Sequence, residues 1–276
     1  MSHFAPTVAR RPLPERRVRW TASWIALVLL AALLPSLVAS VLSHDWPWLL
    51  LASASVVTAL CWNLLFALVR RRPLGLGWLI PPLLFAILLP GDLPLWQAVL
   101  AMSFGIVSGE LIFGGRNWSF LNSAVVSLGF LLFSFPATLL PTLDWLIAAA
   151  VVPGALILLI ANVISWRVPV AAALGCGALA WLAGLDPLAV VLSGSFVFGA
   201  VFLAADPVAA ATTNLGRLLH GLLFGALVVL FFSAAAGPLA HAVVFAALLS
   251  SVLAPLLDQV VIMINVLHRR RRYGRH

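Results

Sequence analysis

The chain has 276 residues, of which 63% are hydrophobic and 9% charged, with a mean hydropathy of +1.14. So few charged groups cannot cover a water-facing exterior, which excludes a soluble enzyme and makes lipid the expected solvent. The net charge of +8 would suggest a nucleic-acid partner in a soluble protein. Here all sixteen basic residues are arginines set between apolar runs, so they report orientation instead and no nucleic acid is expected.

In chain order, residues 1–19 form a basic tail, and the first apolar run opens near Trp20. Further runs follow it rather than a small-residue cleavage site, so it is expected to stay in the chain. A helix needs about 20 apolar residues to cross the hydrocarbon layer, where backbone groups must pair internally. Full-length spans are predicted at 20–43, 47–69, 94–113, 143–164, 167–184, 215–236 and 238–267, and shorter ones at 74–89, 119–135 and 187–204. A second basic tail covers 268–276. The expected fold is an all-α polytopic membrane protein with ten transmembrane helices.

Positive charge stays on the cytoplasmic side of each crossing. With ten spans, Arg10, Arg11, Arg16, Arg17 and Arg19 share one side with Arg70, Arg71, Arg72, Arg116, Arg167 and Arg217. Arg269, Arg270, Arg271, Arg272 and Arg275 fall there too, while Asp45, Asp92, Asp144 and Asp186 fall opposite. This places both termini in the cytoplasm of a bacterial cell whose inner membrane holds the protein. Tryptophans such as Trp20, Trp46, Trp48, Trp96 and Trp145 sit near span ends and read as interface anchors.

Residues 20–142 and 143–267 each hold five spans in the same order. An odd number inverts the second half relative to the first. The third span stops at Pro90, Gly91 and Asp92, and the eighth runs from Ser193 and Gly194 to Asp206 and Pro207. Short or broken helices at matching places of inverted repeats bring free backbone groups to mid-membrane, where ligands or ions bind. Tilted spans with loop prolines are the alternative.

Chemistry concentrates in three places. Glu110 to Asn122 reads ELIFGGRNWSFLN. Gly114 and Gly115 permit close backbone approach to a ligand, while Arg116, Asn117, Ser119 and Asn122 can bond an anionic or heteroaromatic group. The same stretch also reads as a cytoplasmic turn. Leu203 to Arg217 places Asp206 near Thr212, Thr213 and Asn214, either as ligand groups or as a helix cap. Asp258 lies in an apolar helix, as an ion path or as an acid snorkelling to the interface. Cys61 and Cys176 read as small hydrophobes, and His220 and His241 lack metal-ligand spacing, so no metal is expected. No catalytic residue stands out.

Four segments together resemble the NqrB component of sodium-pumping NADH:quinone oxidoreductases and the RnfD component of Rnf complexes. They are SFGIVSGELIFGGRNWSFLNSA (Ser103 to Ala124), ISWRV (Ile164 to Val168), LSGSFVFGAVFLAADPVAAATTNLGR (Leu192 to Arg217), and LAPLLDQVV from Leu253 with its basic tail. The resemblance implies a ten-helix inverted repeat similar to ammonium and urea transporters. It implies a membrane component that holds flavin and passes electrons toward quinone or other members of a redox complex, coupled to sodium or proton movement. Gly114, Gly115, Asn117, Asn122, Asp206, Thr213 and Asn214 would then serve the cofactor, and Glu110 and Asp258 an ion path.

Two departures qualify this. The proteins it resembles carry a long insertion between spans five and six whose SGAT-type threonine is linked to FMN. Here only Pro136 to Asp144 remains, and Thr138 and Thr142 lack the motif. Any flavin, FMN or riboflavin, is therefore expected to be noncovalent. The glycine turn, FGGTG-x-NxxNPA-like in the family, reads FGGRNWSFLNSA here, so Arg116 and Trp118 reshape it. A stand-alone carrier or channel for a small solute or ion, and a structural anchor for a peripheral redox protein, are the alternatives.

Overall fold

The computed structural model describes residues 22–71, 73–143, 145–235 and 237–273. The expectations for the N-terminal arginines, Trp20, Arg72, Asp144 and Arg275 lie outside these residues. Among the described residues there are eleven α-helices and no strand. Backbone donors and acceptors in an apolar chain can pair within a helix without help from water, which accounts for this economy.

The first two helices are α1 (Ala22–Ser43) and α2 (Trp46–Arg70), of 22 and 25 residues. At about 1.5 Å per residue both exceed the hydrocarbon thickness. Proline at the second position of α2 suits a first turn whose N–H groups are free. The chain leaves α2 through Arg71 in the left-handed region, at φ 52°. A 3₁₀ turn, Leu76–Leu79, leads into α3 (Ile80–Ile87), only 8 residues long. Helix α4 (Leu95–Ile106) continues as a π turn, Val107–Leu111. After a short 3₁₀ turn at Arg116–Trp118 comes α5 (Ser123–Ser134).

The remainder holds α6 (Trp145–Ile160), α7 (Arg167–Leu182), α8 (Pro187–Val191), α9 (Gly194–Phe198), α10 (Asn214–Ala235) and α11 (Leu239–Tyr273). The predicted eighth span is divided between α8 and α9, with Ser193 capping the second piece through its hydroxyl and the Phe196 N–H. A second π turn, Gly199–Ala204, extends α9.

Four of these helices, α1, α2, α10 and α11, are long and apolar enough to cross a membrane. The spans expected to be full length at 94–113, 143–164 and 167–184 fall short of that. Helices α6 and α7 have 16 residues each, and α4 has 12 with 5 more in its π turn. The reason is local. Residues at the ends of those apolar runs, such as Asn162 with φ 54°, go into turns rather than helix.

Packing is pairwise. Helix α1 lies on α6, α5 on α11, α7 on α10, α10 on α11, α4 on α5 and α2 on α4. The short helices fill the space between: α3 touches α1, α2 and α5, while α9 touches α6 and α11 and α8 touches α7. Phe85, Phe196, Phe198 and Phe224 are fully buried among them. Large apolar side chains cover the outside, among them Leu42, Leu68, Leu174 and Ile160. An apolar shell of that extent belongs in lipid, so the chain is a multi-pass membrane protein. Trp46, Trp96 and Trp145 are exposed at helix starts, as anchors should be. Trp48 departs from that expectation: it is buried, and its indole N–H donates to the Ala86 carbonyl at 2.9 Å. That bond pins α2 to the end of α3, where the Ala86 carbonyl also accepts from the Leu89 N–H at 3.1 Å, and it satisfies the indole N–H that burial would otherwise leave unpaired.

Candidate functional site

At the π turn of α4, the Ile112 N–H reaches back five residues to the Val107 carbonyl, at 3.0 Å. The Gly115 N–H does the same to the Glu110 carbonyl, also at 3.0 Å. The extra residue in such a turn re-aims its side chains, and π turns gather at functional sites. Here Glu110 is turned inward and accepts from the Ser123 hydroxyl at 3.0 Å. Gly114 and Gly115 then reverse the chain at φ 113° and 107°, a backbone closed to other residues. The Trp118 ring lies over Gly114, where an added Cβ would sit 3.5 Å from Trp118 Cδ1. The Ser119 hydroxyl ties the loop to the Gly109 and Leu121 carbonyls.

Asn122 closes the loop. Its Oδ1 accepts from the Ala124 N–H at 3.0 Å and so caps α5, while its Nδ2 donates to Asp206 Oδ2 at 2.8 Å. Arg116 Nη2 reaches both Asp206 oxygens, at 2.9 and 3.0 Å. Both the acid and Asn122 are buried, so the carboxylate's charge is matched inside the protein rather than by water.

Beside this pair opens a cavity of about 540 Å³. Helix α2 contributes Asn63, Phe66 and Arg70, and the following turn Gly77 and Trp78. The glycine loop contributes Glu110, Gly114, Gly115, Arg116, Asn117, Trp118 and Ser119, and the linker after α9 adds Pro207 and Val208. The Arg70 guanidinium rests over the Phe66 ring, 5.0 Å from its centre.

Of the residues expected to bind cofactor, Gly114, Gly115 and Asn117 line this cavity, together with Glu110. Asn122 and Asp206 stand behind its wall, joined to it by Arg116. Thr213, Asn214 and Asp258 do not reach it. Asp258 accepts four hydrogen bonds: Thr212 N–H and hydroxyl on Oδ2 at 2.7 and 2.8 Å, Thr213 N–H and hydroxyl on Oδ1 at 3.0 and 2.6 Å. Thr213 also caps α10 through the Gly216 N–H at 3.0 Å. Asn214 accepts from Arg167 at 3.0 Å. His220, buried, has Nε2 3.1 Å from the Ala204 carbonyl. Among the described residues no three His, Cys, Asp or Glu side chains are grouped for a metal.

Sequence reasoning missed Asn63, whose amide Nδ2 bonds the Ala59 carbonyl of its own helix at 2.9 Å. A lone amide within CWNLLFALV was the available signal. It also missed Phe66, Gly77 and Trp78, which carry no signal apart from their place in the fold.

Apolar helices, an arginine–aspartate pair held largely out of water, and a polar and aromatic cavity beside it define the class: a multi-pass membrane protein with an internal cavity. The chain belongs to the NQR2, RnfD, RnfE family, whose model matches residues 11–150 and 142–266. Among its relatives, the NqrB component of the Na(+)-translocating NADH-quinone reductase of Pseudomonas aeruginosa (strain LESB58) is 30% identical over 268 residues, covering 77% of this chain and 66% of that protein. The corresponding protein of Yersinia pestis is 29% identical over 270 residues, with 76% and 65% covered. That of Azotobacter vinelandii is 29% identical over 266 residues, with 76% and 66% covered. The chain thus spans just under two thirds of the length of these relatives.

Proposed function

We propose that the protein is an inner-membrane component of a bacterial electron-transfer complex of the Nqr or Rnf kind, holding a noncovalent flavin in the cavity beside Arg116. One observation carries this reading: two segments that bear the family resemblance, Ser103 to Ala124 and Leu192 to Arg217, meet at the cavity, where the glycine loop of the first and Pro207 and Val208 of the second complete a wall begun by α1, α2 and the turn after α2. The cavity suits a flavin. Its volume lies within the roughly 300–1,000 Å³ of small-molecule sites. Trp78 and Trp118 offer aromatic faces for a ring system, and Asn63, Asn117 and Ser119 offer hydrogen bonds. Arg70 stands ready for a phosphate, if the flavin is FMN. A bound flavin supplies one- and two-electron chemistry; the protein supplies its orientation and shelter from water.

Packing supports the ten-span inverted repeat with halves at 20–142 and 143–267. The contacts of α1 with α3, α2 with α3, α2 with α4 and α4 with α5 recur as α6 with α9, α7 with α8, α7 with α10 and α10 with α11. The pairs α1 with α6 and α5 with α11 then lie across the pseudo-symmetry axis. Arg70 and Arg116 share the cavity, in keeping with a cytoplasmic mouth and cytoplasmic termini. The link after α5 sits at the far end of that helix, held by His241, whose Nε2 accepts from the Leu140 N–H at 2.9 Å. Thr138 and Thr142 in that link are not among the residues lining the cavity, which supports a noncovalent cofactor. Other members of the complex and quinone would be the electron partners, and Glu110, which faces the cavity, would serve an ion path.

The test is the absorption spectrum of the chain purified with its membrane partners. Flavin bands that leave with the small-molecule fraction on denaturation, and that weaken in Trp118→Ala and Asn117→Ala, are expected. A flavin-free intact complex would sink the proposal. The short Pro136–Asp144 link, lacking a covalent site, favours a second reading as a solute carrier. Uptake of labelled urea or ammonium analogue by vesicles holding this chain alone would select it.

A further inference from the structure

Asp206 and Glu110 are 2% and 3% exposed, and among the described residues the one guanidinium bonded to either is that of Arg116. Four protein contacts serve Asp206: Arg116 Nη2 on both oxygens, Asn122 Nδ2, and the Val208 N–H 3.4 Å from Oδ1. Arg116 reaches this carboxylate from 90 positions away. Its stem passes over Gly77, where a Cβ would lie 3.3 Å from Arg116 Cδ. Arg116 also lines the cavity while Asp206 does not, so the arginine side chain stands between the cavity and the carboxylate.

We propose that Arg116 is a built-in cation: it fills a site that the Asp206 carboxylate would otherwise offer to a small monovalent cation entering from the cavity. A buried carboxylate stripped of its partner is strongly disfavoured and draws in any counter-charge that fits. A free cation leaves as its concentration falls, whereas a tethered one stays. Arg116 therefore fixes Gly114 and Gly115 against Pro207 and Val208, making the cavity wall indifferent to sodium or potassium. Arg116 is thus a positioning residue. The inference holds whether or not a flavin occupies the cavity.

Thermal unfolding of the full chain in detergent tests this, at one ionic strength, in sodium chloride, in choline chloride, and in choline chloride with millimolar guanidinium. The wild type should gain nothing from added guanidinium. Arg116→Ala should unfold lower in choline and recover much of the loss with guanidinium, and the recovery should vanish in Arg116→Ala combined with Asp206→Asn. Equal midpoints for Arg116→Ala with and without guanidinium would overturn the proposal, as would a wild type that guanidinium stabilises to the same extent. If Arg116→Ala fails to accumulate, Arg116→Lys and Arg116→Gln decide. The lysine variant should stay insensitive to added cations and the glutamine variant should become sensitive. Insensitivity in both would refute the tethered-cation role.

Discussion

At Gly115 the open space beside the backbone isolates one effect. Apart from its own chain neighbours, no atom lies within 4 Å of where a Cβ would be, yet φ is 107° and ψ 173°. Gly115→Ala should therefore cost about 1–3 kcal/mol from backbone strain alone. Chemical denaturation in detergent would measure it, and a variant as stable as wild type would mean the loop has another way to turn. Asp258, expected from the sequence to serve an ion path or to snorkel to the interface, is tied to the chain before α10. All four of its bonds go to Thr212 and Thr213, so it clamps α11 to the start of α10. Asp258→Ala should lower stability by roughly 1.5–3 kcal/mol, the range for hydrogen bonds to a charged group. Thr213→Val should lose part of that together with the helix cap. Should Asp258→Ala instead unfold like wild type while abolishing ion movement in the assembled complex, the clamp would be secondary. These residues were legible as polar groups in apolar surroundings. Their partners were not, because Asp206 meets Arg116 across 90 positions and Asp258 meets Thr212 across 46, and no local pattern encodes such distances.

The contact between α7 and α10 is built on small residues. Gly221 and Gly225, four apart on α10, face the α7 backbone, and a Cβ at Gly225 would come 2.6 Å from the Cys176 N. From the other side Gly175 meets Leu222, with 3.0 Å to its Cα. Such spacing lets backbones approach closely where lipid provides no hydrophobic drive between helices. Gly225→Leu should separate α7 from α10 and destabilise the chain by at least the 1–3 kcal/mol or so typical of overpacking. Proteolysis of detergent-solubilised protein would reveal the loosened pair as faster cleavage. The helices themselves were readable from long apolar runs, and so was the shortness of the third. The division between α8 and α9 was signalled only by Ser193 and Gly194, and the reduced lengths of α6 and α7 were not signalled at all. Hydropathy reports solubility in lipid without marking where an apolar run turns out of its helix.

For the molecule as a whole, the distribution of arginines carried the most information. Arg70 and Arg116, well separated in sequence, meet at one cavity, and Arg167 and Asn214 join the starts of α7 and α10. Reporter fusions at either terminus should be active only with a cytoplasmic enzyme, and a periplasmic signal from either would invert the proposed topology. The family itself was legible from four segments, two of which the packing brings together around the cavity.

Glu110 owes its aim to one surplus residue in the turn that carries it. Deleting one of Val107 or Ser108 would let that turn relax to ordinary 3.6-residue winding and swing the carboxyl by about 100°. The helix would remain while its acid left the Ser123 hydroxyl. A shortened chain of this kind should fold, with helical circular dichroism unchanged, and yet fail wherever the inward carboxyl is required. Register thus becomes a lever on function that leaves every other side-chain identity in place.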